Sequence, residues 1–284
     1  MNAADSSTTG TDPEALPFRR LEGGAWRYVL RPAATLDPAS KAPLVIAIHG
    51  SDRDIAGLVQ GFGMDGGATI LAPLFPKEMD GADIADDYKF LPSGEPDYVA
   101  LLDRMREQAL EELGLTPSAV YLFGFSGGAQ FAHRYGLFRA ATLDGMVIAA
   151  PGNVTLMRDD IEWWPGLKGA QAATGYAPDL PALKRLPCAV IVGSDDNKPS
   201  SVSRAPGTRY GADHEGLAGS SRTDKARALS ESLTAFGATP EFHELPGVGH
   251  QLAPCVTAAA QILRGWLAKK NNASPDQTSS RRNT

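Results

Sequence analysis

Residues 120–133 read Val-Tyr-Leu-Phe-Gly-Phe-Ser-Gly-Gly-Ala-Gln-Phe-Ala-His, and this stretch decides the fold. A hydrophobic run stops at Gly124. Ser126 follows in the pentapeptide Gly124-Phe-Ser-Gly-Gly128, and a helix-like pattern begins straight after it. A G-x-S-x-G nucleophile elbow demands this context of strand, sharp turn and helix, because the serine must be lifted above a sheet on a strained backbone. Gly124 and Gly128 supply room where a Cβ would crowd the neighbouring strand or helix. The five-residue pattern alone is weak; the strand before it and the helix after it give it specificity.

Outward from the elbow, elements alternate. Toward the N-terminus, Asp97 to Leu113 repeats apolar residues at helical spacing (Val99, Leu102, Met105, Ala109, Leu113), with Asp97 to cap its start and Gly114 to end it. Ala68 to Leu71 reads as a weak strand cut off by Pro73. Pro43 to Ile48 is wholly apolar, as in a strand covered on both faces. Phe18–Leu21 and Trp26–Leu30 around Gly23-Gly24 suggest a hairpin. Toward the C-terminus, the expected elements are strands at Leu143–Ala150, Cys188–Val192 and Glu241–Leu245, and helices at Ala129–Phe138, Asp224–Phe236 and Val256–Leu267. Alternating strands and helices imply an α/β fold: a mostly parallel sheet with helices on both faces. Two lid-like insertions, at 153–186 and 197–223, follow the sixth and seventh strands, on the edge where such sheets bind ligands. The domain spans 17–270, between polar tails at 1–16 and 271–284 whose composition predicts disorder.

Composition narrows the class. The chain has 284 residues, is 43% hydrophobic and carries a formal charge of −6 without a dense Lys/Arg stripe, which argues against a nucleic-acid partner. No run approaches the ~18 apolar residues of a membrane span, and the first residues lack the pattern of a signal peptide, so a cytoplasmic protein is expected. The two cysteines, Cys188 and Cys255, read as reduced, packed thiols. No metal-ligand spacing of Cys or His is present, so no metal is expected.

A serine hydroxyl needs a base. Of the five histidines, His133 and His243 fall inside a helix and a strand, His49 ends a strand, and His214 sits in a polar loop as a rival base. His250, in Pro-Gly-Val-Gly-His after the last strand, stands where a base reaches an elbow serine. The acid that orients it is expected just past the Cys188–Val192 strand, at Asp196, with Asp195 second. Oxyanion donors are expected at the N–H of Gly127, which opens a helix, and in the loop Ile48-His49-Gly50-Ser51-Asp52-Arg53, at Ser51 or alternatively Asp52.

With these residues the chain resembles the α/β-hydrolase superfamily from about Pro17 to Ala268. The resemblance rests on His49-Gly50, the Gly124–Gly128 elbow, the Gly193-x-x-Asp196 turn and Gly249-His250. Within that superfamily it is most similar to small esterases and polyester-depolymerase-like serine hydrolases. The resemblance implies a cofactor-free hydrolase of an ester-like small molecule, with Ser126 attacking, His250 carrying the proton and Asp196 orienting it. The serine at 126 disfavours families with an aspartate nucleophile. Amide or lactone hydrolysis with the same triad, or ligand binding without catalysis, are the alternatives. Several features stand apart from the simplest pattern. Arg53 could grip a substrate carboxylate or brace its loop. Trp163 and Trp164 could wall a lid or pack an insertion. Phe62 and Met64 could line the pocket. The five carboxylates between Glu78 and Asp87 read as a solvated loop, or as a site for a calcium ion or a cationic substrate.

Overall fold

The computed structural model describes residues 16–34, 41–63, 66–199 and 204–273. Met64 and nearly all of both expected tails lie outside them. Eight strands form one sheet in the order β1-β2-β4-β3-β7-β8-β9-β10: β1 Phe18–Arg20, β2 Arg27–Arg31, β3 Leu44–Ile48, β4 Thr69–Leu74, β7 Val120–Phe125, β8 Gly145–Ala149, β9 Cys188–Gly193 and β10 Glu241–Leu245. A separate two-stranded ribbon pairs β5 (Glu78–Met79) with β6 (Ala82–Asp83). The β1–β2 and β2–β4 pairs are antiparallel; β4-β3-β7-β8-β9-β10 run parallel. β3, β8 and β9 are buried along their whole length, which explains their continuous apolar runs.

Helices cover both faces. α1 (Ile55–Gly63) and α8 (Leu252–Ala273) pack together on one, where Val45, Phe123, Val256 and Trp266 share a core. The other carries α3 (Tyr98–Leu113), α4 (Gly127–Arg139) and α7 (Arg222–Phe236), with the short helices α2 (Asp87–Phe90) and α6 (Leu180–Arg185); α5 (Ala170–Thr174) lies within the 153–186 insertion. α3 starts and stops where its sequence indicates: the Asp97 carboxylate accepts from the N–H groups of Val99 and Ala100, and Gly114 closes it at φ 56°. α4 is buried from Gly127 to Phe138, so it has no solvent face and needs cover all round. α2 and the 153–186 insertion supply that cover. Arg134, 0% exposed on α4, donates to Thr155 Oγ1 and to the Lys89 carbonyl and lies over the rings of Phe90 and Trp164.

Three expectations change. β4 runs through Pro73, which pairs with Tyr28; β3 pairs only as far as Leu71, so no β3 carbonyl waits there for the N–H that proline lacks. α8 continues to Ala273, three residues past the expected domain end. The segment from Glu78 to Asp87 is a ribbon leading into α2, and its last two acids are engaged in ion pairs instead of solvated.

Candidate active site

Ser126 sits between β7 and α4 at φ 55°, ψ −111°, a conformation that a side chain adopts only under strain. The flanking glycines explain how it is held. A Cβ on Gly124 would run into the carbonyl of Gly128, and one on Gly128 into the carbonyl of Ile48 at the end of β3. Strand, elbow and helix therefore approach more closely than any side chain allows.

The structure brings the expected base and acid to this serine. Nε2 of His250 lies 3.0 Å from Ser126 Oγ, and its Nδ1 lies 2.7 Å from Asp196 Oδ2. The imidazole stacks on Phe125, with ring centroids 4.8 Å apart. Both partners hang on one latched pair of loops. Ser194 N–H donates to the Leu245 carbonyl, Asp195 N–H to the Val248 carbonyl, and Gly247 N–H to Ser194 Oγ. Asp195, the second choice for the acid, is exposed and accepts from the Ser194 hydroxyl instead. His214 is exposed in its loop, and the imidazole at Ser126 is that of His250.

A further contact was not legible in the sequence. Arg222, the first residue of α7, places a guanidinium N–H 3.5 Å from Asp196 Oδ1, the oxygen that His250 does not use. The Ser221–Asp224 capping box fixes the start of α7 at this point, and Thr223 N–H donates to the Asp196 carbonyl at 3.4 Å. Nothing in the sequence separates Arg222 from any other arginine at a helix start.

At the expected oxyanion site, Gly127 opens α4, so its N–H has no partner within the helix. Gly50 lies against Ser126: a Cβ added there would stand 3.4 Å from that of Ser126. Ser51 Oγ lies 3.1 Å from where a Cβ on Gly127 would be. The loop holding Ser51 and Asp52 turns back on itself, with Arg53 N–H donating to the Gly50 carbonyl and Arg53 at φ 62°. The Arg53 guanidinium is committed to the carbonyls of Phe75, Ser51 and Ala85, so it braces this loop and does not stand free for a substrate carboxylate. Tyr88 and Lys89 of α2 fill the space beside Gly127: the Tyr88 hydroxyl blocks its Cβ position and Lys89 Cε lies 2.8 Å from it. A four-residue helix has no periodicity to read, which is why these two escaped the sequence.

The remaining expected residues pack away from the serine. Trp164 is buried, donates to the Tyr210 carbonyl at 2.8 Å and lies against Arg134. Trp163 packs on Phe138. Both tryptophans thus hold the insertion to α4. Phe62 meets Phe123 edge-on in the α1–α8 core and lines a cavity of about 200 Å³ with Val45, Tyr121 and Leu263, which Ser126 does not line.

His49 and His133 are both buried, and both accept a backbone N–H on Nε2, from Phe75 and Thr155 respectively. Each therefore carries its proton on Nδ1, toward the carbonyls of Gly50 and Ala129. Burial is the main cause that pulls each down to about pH 3 as the point of protonation, so both are neutral. They are structural pins: His49 ties the loop after β3 to the end of β4, and His133 ties α4 to the insertion. Among the described residues no group of three or more His, Cys, Asp or Glu is arranged to hold a metal, and no helix is long and apolar enough to cross a membrane. Cys188 and Cys255 are buried free thiols.

No family model and no curated protein matches this sequence. Solved structures do. Poly(aspartic acid) hydrolase-1 from Sphingomonas sp. KT-1 superposes with a TM-score of 0.69 at 17% identity, over 87% of this chain and 97% of that one. A poly(3-hydroxybutyrate) depolymerase from Bordetella parapertussis gives 0.66 at 20% identity, over 86% and 88%. A putative dienelactone hydrolase from Klebsiella pneumoniae gives 0.56 at 16%, over 87% and 95%. The chain has the α/β-hydrolase fold.

Proposed function

We propose that this protein is a serine hydrolase that cleaves a carboxylic ester or related acyl bond through an acyl-enzyme. The observation that carries the reading is the continuous relay from Asp196 Oδ2 through His250 to Ser126 Oγ, at 2.7 and 3.0 Å. Ser126 Oγ attacks the carbonyl carbon as its proton passes to His250 Nε2. Asp196 holds the tautomer that leaves Nε2 free to accept, and stabilises the imidazolium that results. The tetrahedral oxyanion forms beside the N–H of Gly127 and the Ser51 loop; losing one such donor typically costs ~2.7–4 kcal/mol of transition-state stabilisation. Collapse breaks the bond to the leaving oxygen, which takes the proton from His250. Water, deprotonated by the same imidazole, then releases the acyl group as an acid and restores Ser126. No step requires a cofactor.

The structural neighbours support hydrolysis as the chemistry: one is a poly(3-hydroxybutyrate) depolymerase and another a carboxylesterase from Mesorhizobium loti. The poly(aspartic acid) hydrolase and the putative dienelactone hydrolase keep amide and lactone cleavage as the second reading, since the relay serves all three. Matched p-nitrophenyl esters and anilides separate esters from amides. The reading is tested with a fluorophosphonate probe, which should label Ser126. Ser126→Ala should abolish labelling and lower ester turnover by about 10⁴–10⁶-fold. Ester hydrolysis that survives Ser126→Ala, or a wild type that binds esters without reacting with the probe, removes it.

A further inference from the structure

Two cations and one carboxylate meet beside the elbow, and they do not balance. Asp86, just before α2, receives the Lys89 ammonium on Oδ1 and the Arg204 guanidinium on Oδ2. The neighbouring acid cannot share the load, because Asp87 is already taken by Arg209 and by the Tyr210 hydroxyl. Glu215 accepts the Arg204 backbone N–H at 3.0 Å and lies 3.9 Å from the buried ammonium of Lys225, so its charge is directed inward. The Lys89–Asp86–Arg204 group therefore carries a formal excess of one positive charge, on a chain whose net charge is −6.

The position of this group matters as much as its charge. At its inner end Lys89 is almost wholly buried, with Cε 2.8 Å from the place a Cβ on Gly127 would occupy. At its outer end the side chains of Arg204 and Asp86 are 30% and 29% exposed. Arg204 also has a buried Nε–H that makes no hydrogen bond. The group thus runs from solvent to Gly127, the residue beside Ser126. Burial pushes the Asp86 carboxyl up, but Lys89 and Arg204 outweigh it and hold the group below the usual carboxylate range, so Asp86 is the anion that an incoming one must displace or join.

We propose that Lys89 and Arg204 form a carboxylate subsite, and that the acyl substrate carries a free carboxylate a few bonds from its scissile carbonyl, as a half-ester of a dicarboxylic acid does. One carboxylate neutralises the excess charge. It gives the idle N–H of Arg204 an acceptor, and a partly desolvated guanidinium and ammonium bind carboxylate with charge-assisted hydrogen bonds stronger than neutral ones. The proposal rests on Ser126 as the nucleophile, and the test keeps the two apart.

The test compares kcat/KM for mono-p-nitrophenyl succinate and p-nitrophenyl butyrate, each corrected for spontaneous hydrolysis. The two differ only in a carboxylate that replaces a methyl group. Their ratio within one preparation cancels any change in the amount of active enzyme. The wild type should prefer the anionic ester by about tenfold or more at low salt, and added salt should erode the preference. Arg204→Gln should lower the ratio about tenfold, Arg204→Lys should retain most of it, and Asp86→Asn, which removes the internal competitor, should raise it. A wild-type ratio near one, or a ratio unmoved by both Arg204→Gln and Asp86→Asn, overturns the subsite while Ser126 still labels. Absence of labelling and of turnover on both esters removes the nucleophile, and the subsite with it.

Discussion

The backbone at Ser126 departs from what its own side chain favours. With φ at 55° and ψ at −111°, the residue occupies a region that only glycine visits without cost, and conformations of this kind cost about 1–3 kcal/mol. The packing of Gly124 against Gly128, and of Gly128 against β3, imposes it. Of two variants without the hydroxyl, Ser126→Gly should therefore be more stable than Ser126→Ala by on the order of 1 kcal/mol, because alanine keeps the strained Cβ and glycine does not. Urea denaturation of the two variants checks this; an alanine variant more stable than the glycine one, as the unfolded-state entropy of glycine alone would give, would show that the elbow holds no strain. At the same scale, Asp196 touches two partners, and Arg222 on its second oxygen keeps the carboxylate from turning away from His250.

At the level of elements, α7 positions Asp196. Its Ser221–Asp224 capping box anchors the helix start against the turn that carries Asp196. Ser221→Ala should cost about 1 kcal/mol of stability, within the range for a lost N-cap, read from the urea midpoint. The sequence reveals elements of this kind unevenly. β3, β7, β8 and β9 were legible because a strand buried on both faces reads as an unbroken apolar run, and α3 because Asp97 and Gly114 mark its ends. α2 was not, because four residues carry no period, and α1 was missed because three glycines interrupt its nine residues. The nucleophile, base and acid candidates were legible since each follows a readable strand. Their neighbours Lys89, Arg204 and Arg222 were not: Lys89 lies in a four-residue helix without a period, and contacts across 118 positions, as between Asp86 and Arg204, or 26, as between Asp196 and Arg222, leave no local pattern. Arg53, Trp163 and Trp164 looked like binding groups because their residue types suit that role; the structure gives their polar atoms and rings to the loop and the insertion instead.

For the molecule as a whole, two neutral histidines couple stability to acidity. His49 and His133 protonate in the folded state only near pH 3, against an ordinary value of 6.5, because burial opposes their charge. Unfolding exposes them and lets them take up protons, so the unfolded chain binds more protons at every pH between those limits. Stability is fully present above about pH 6.5 and declines as pH falls toward 3. The thermal midpoint should already be lower at pH 5 than at pH 7.5, a window above the titration of ordinary carboxylates; a flat profile there would contradict the burial of both rings. Ser126, His250 and Asp196 are mounted on unequally stable parts of the sheet. Ser126 rises from β7 in the interior of the sheet, whereas His250 and Asp196 belong to the latched loops next to β10, an edge strand none of whose residues is fully buried. Such a margin opens locally at less cost than the whole fold does. On warming, then, the rim should loosen first and carry the imidazole away from a serine still held in its frame, so that the proposed hydrolysis should fall silent reversibly while the domain remains folded.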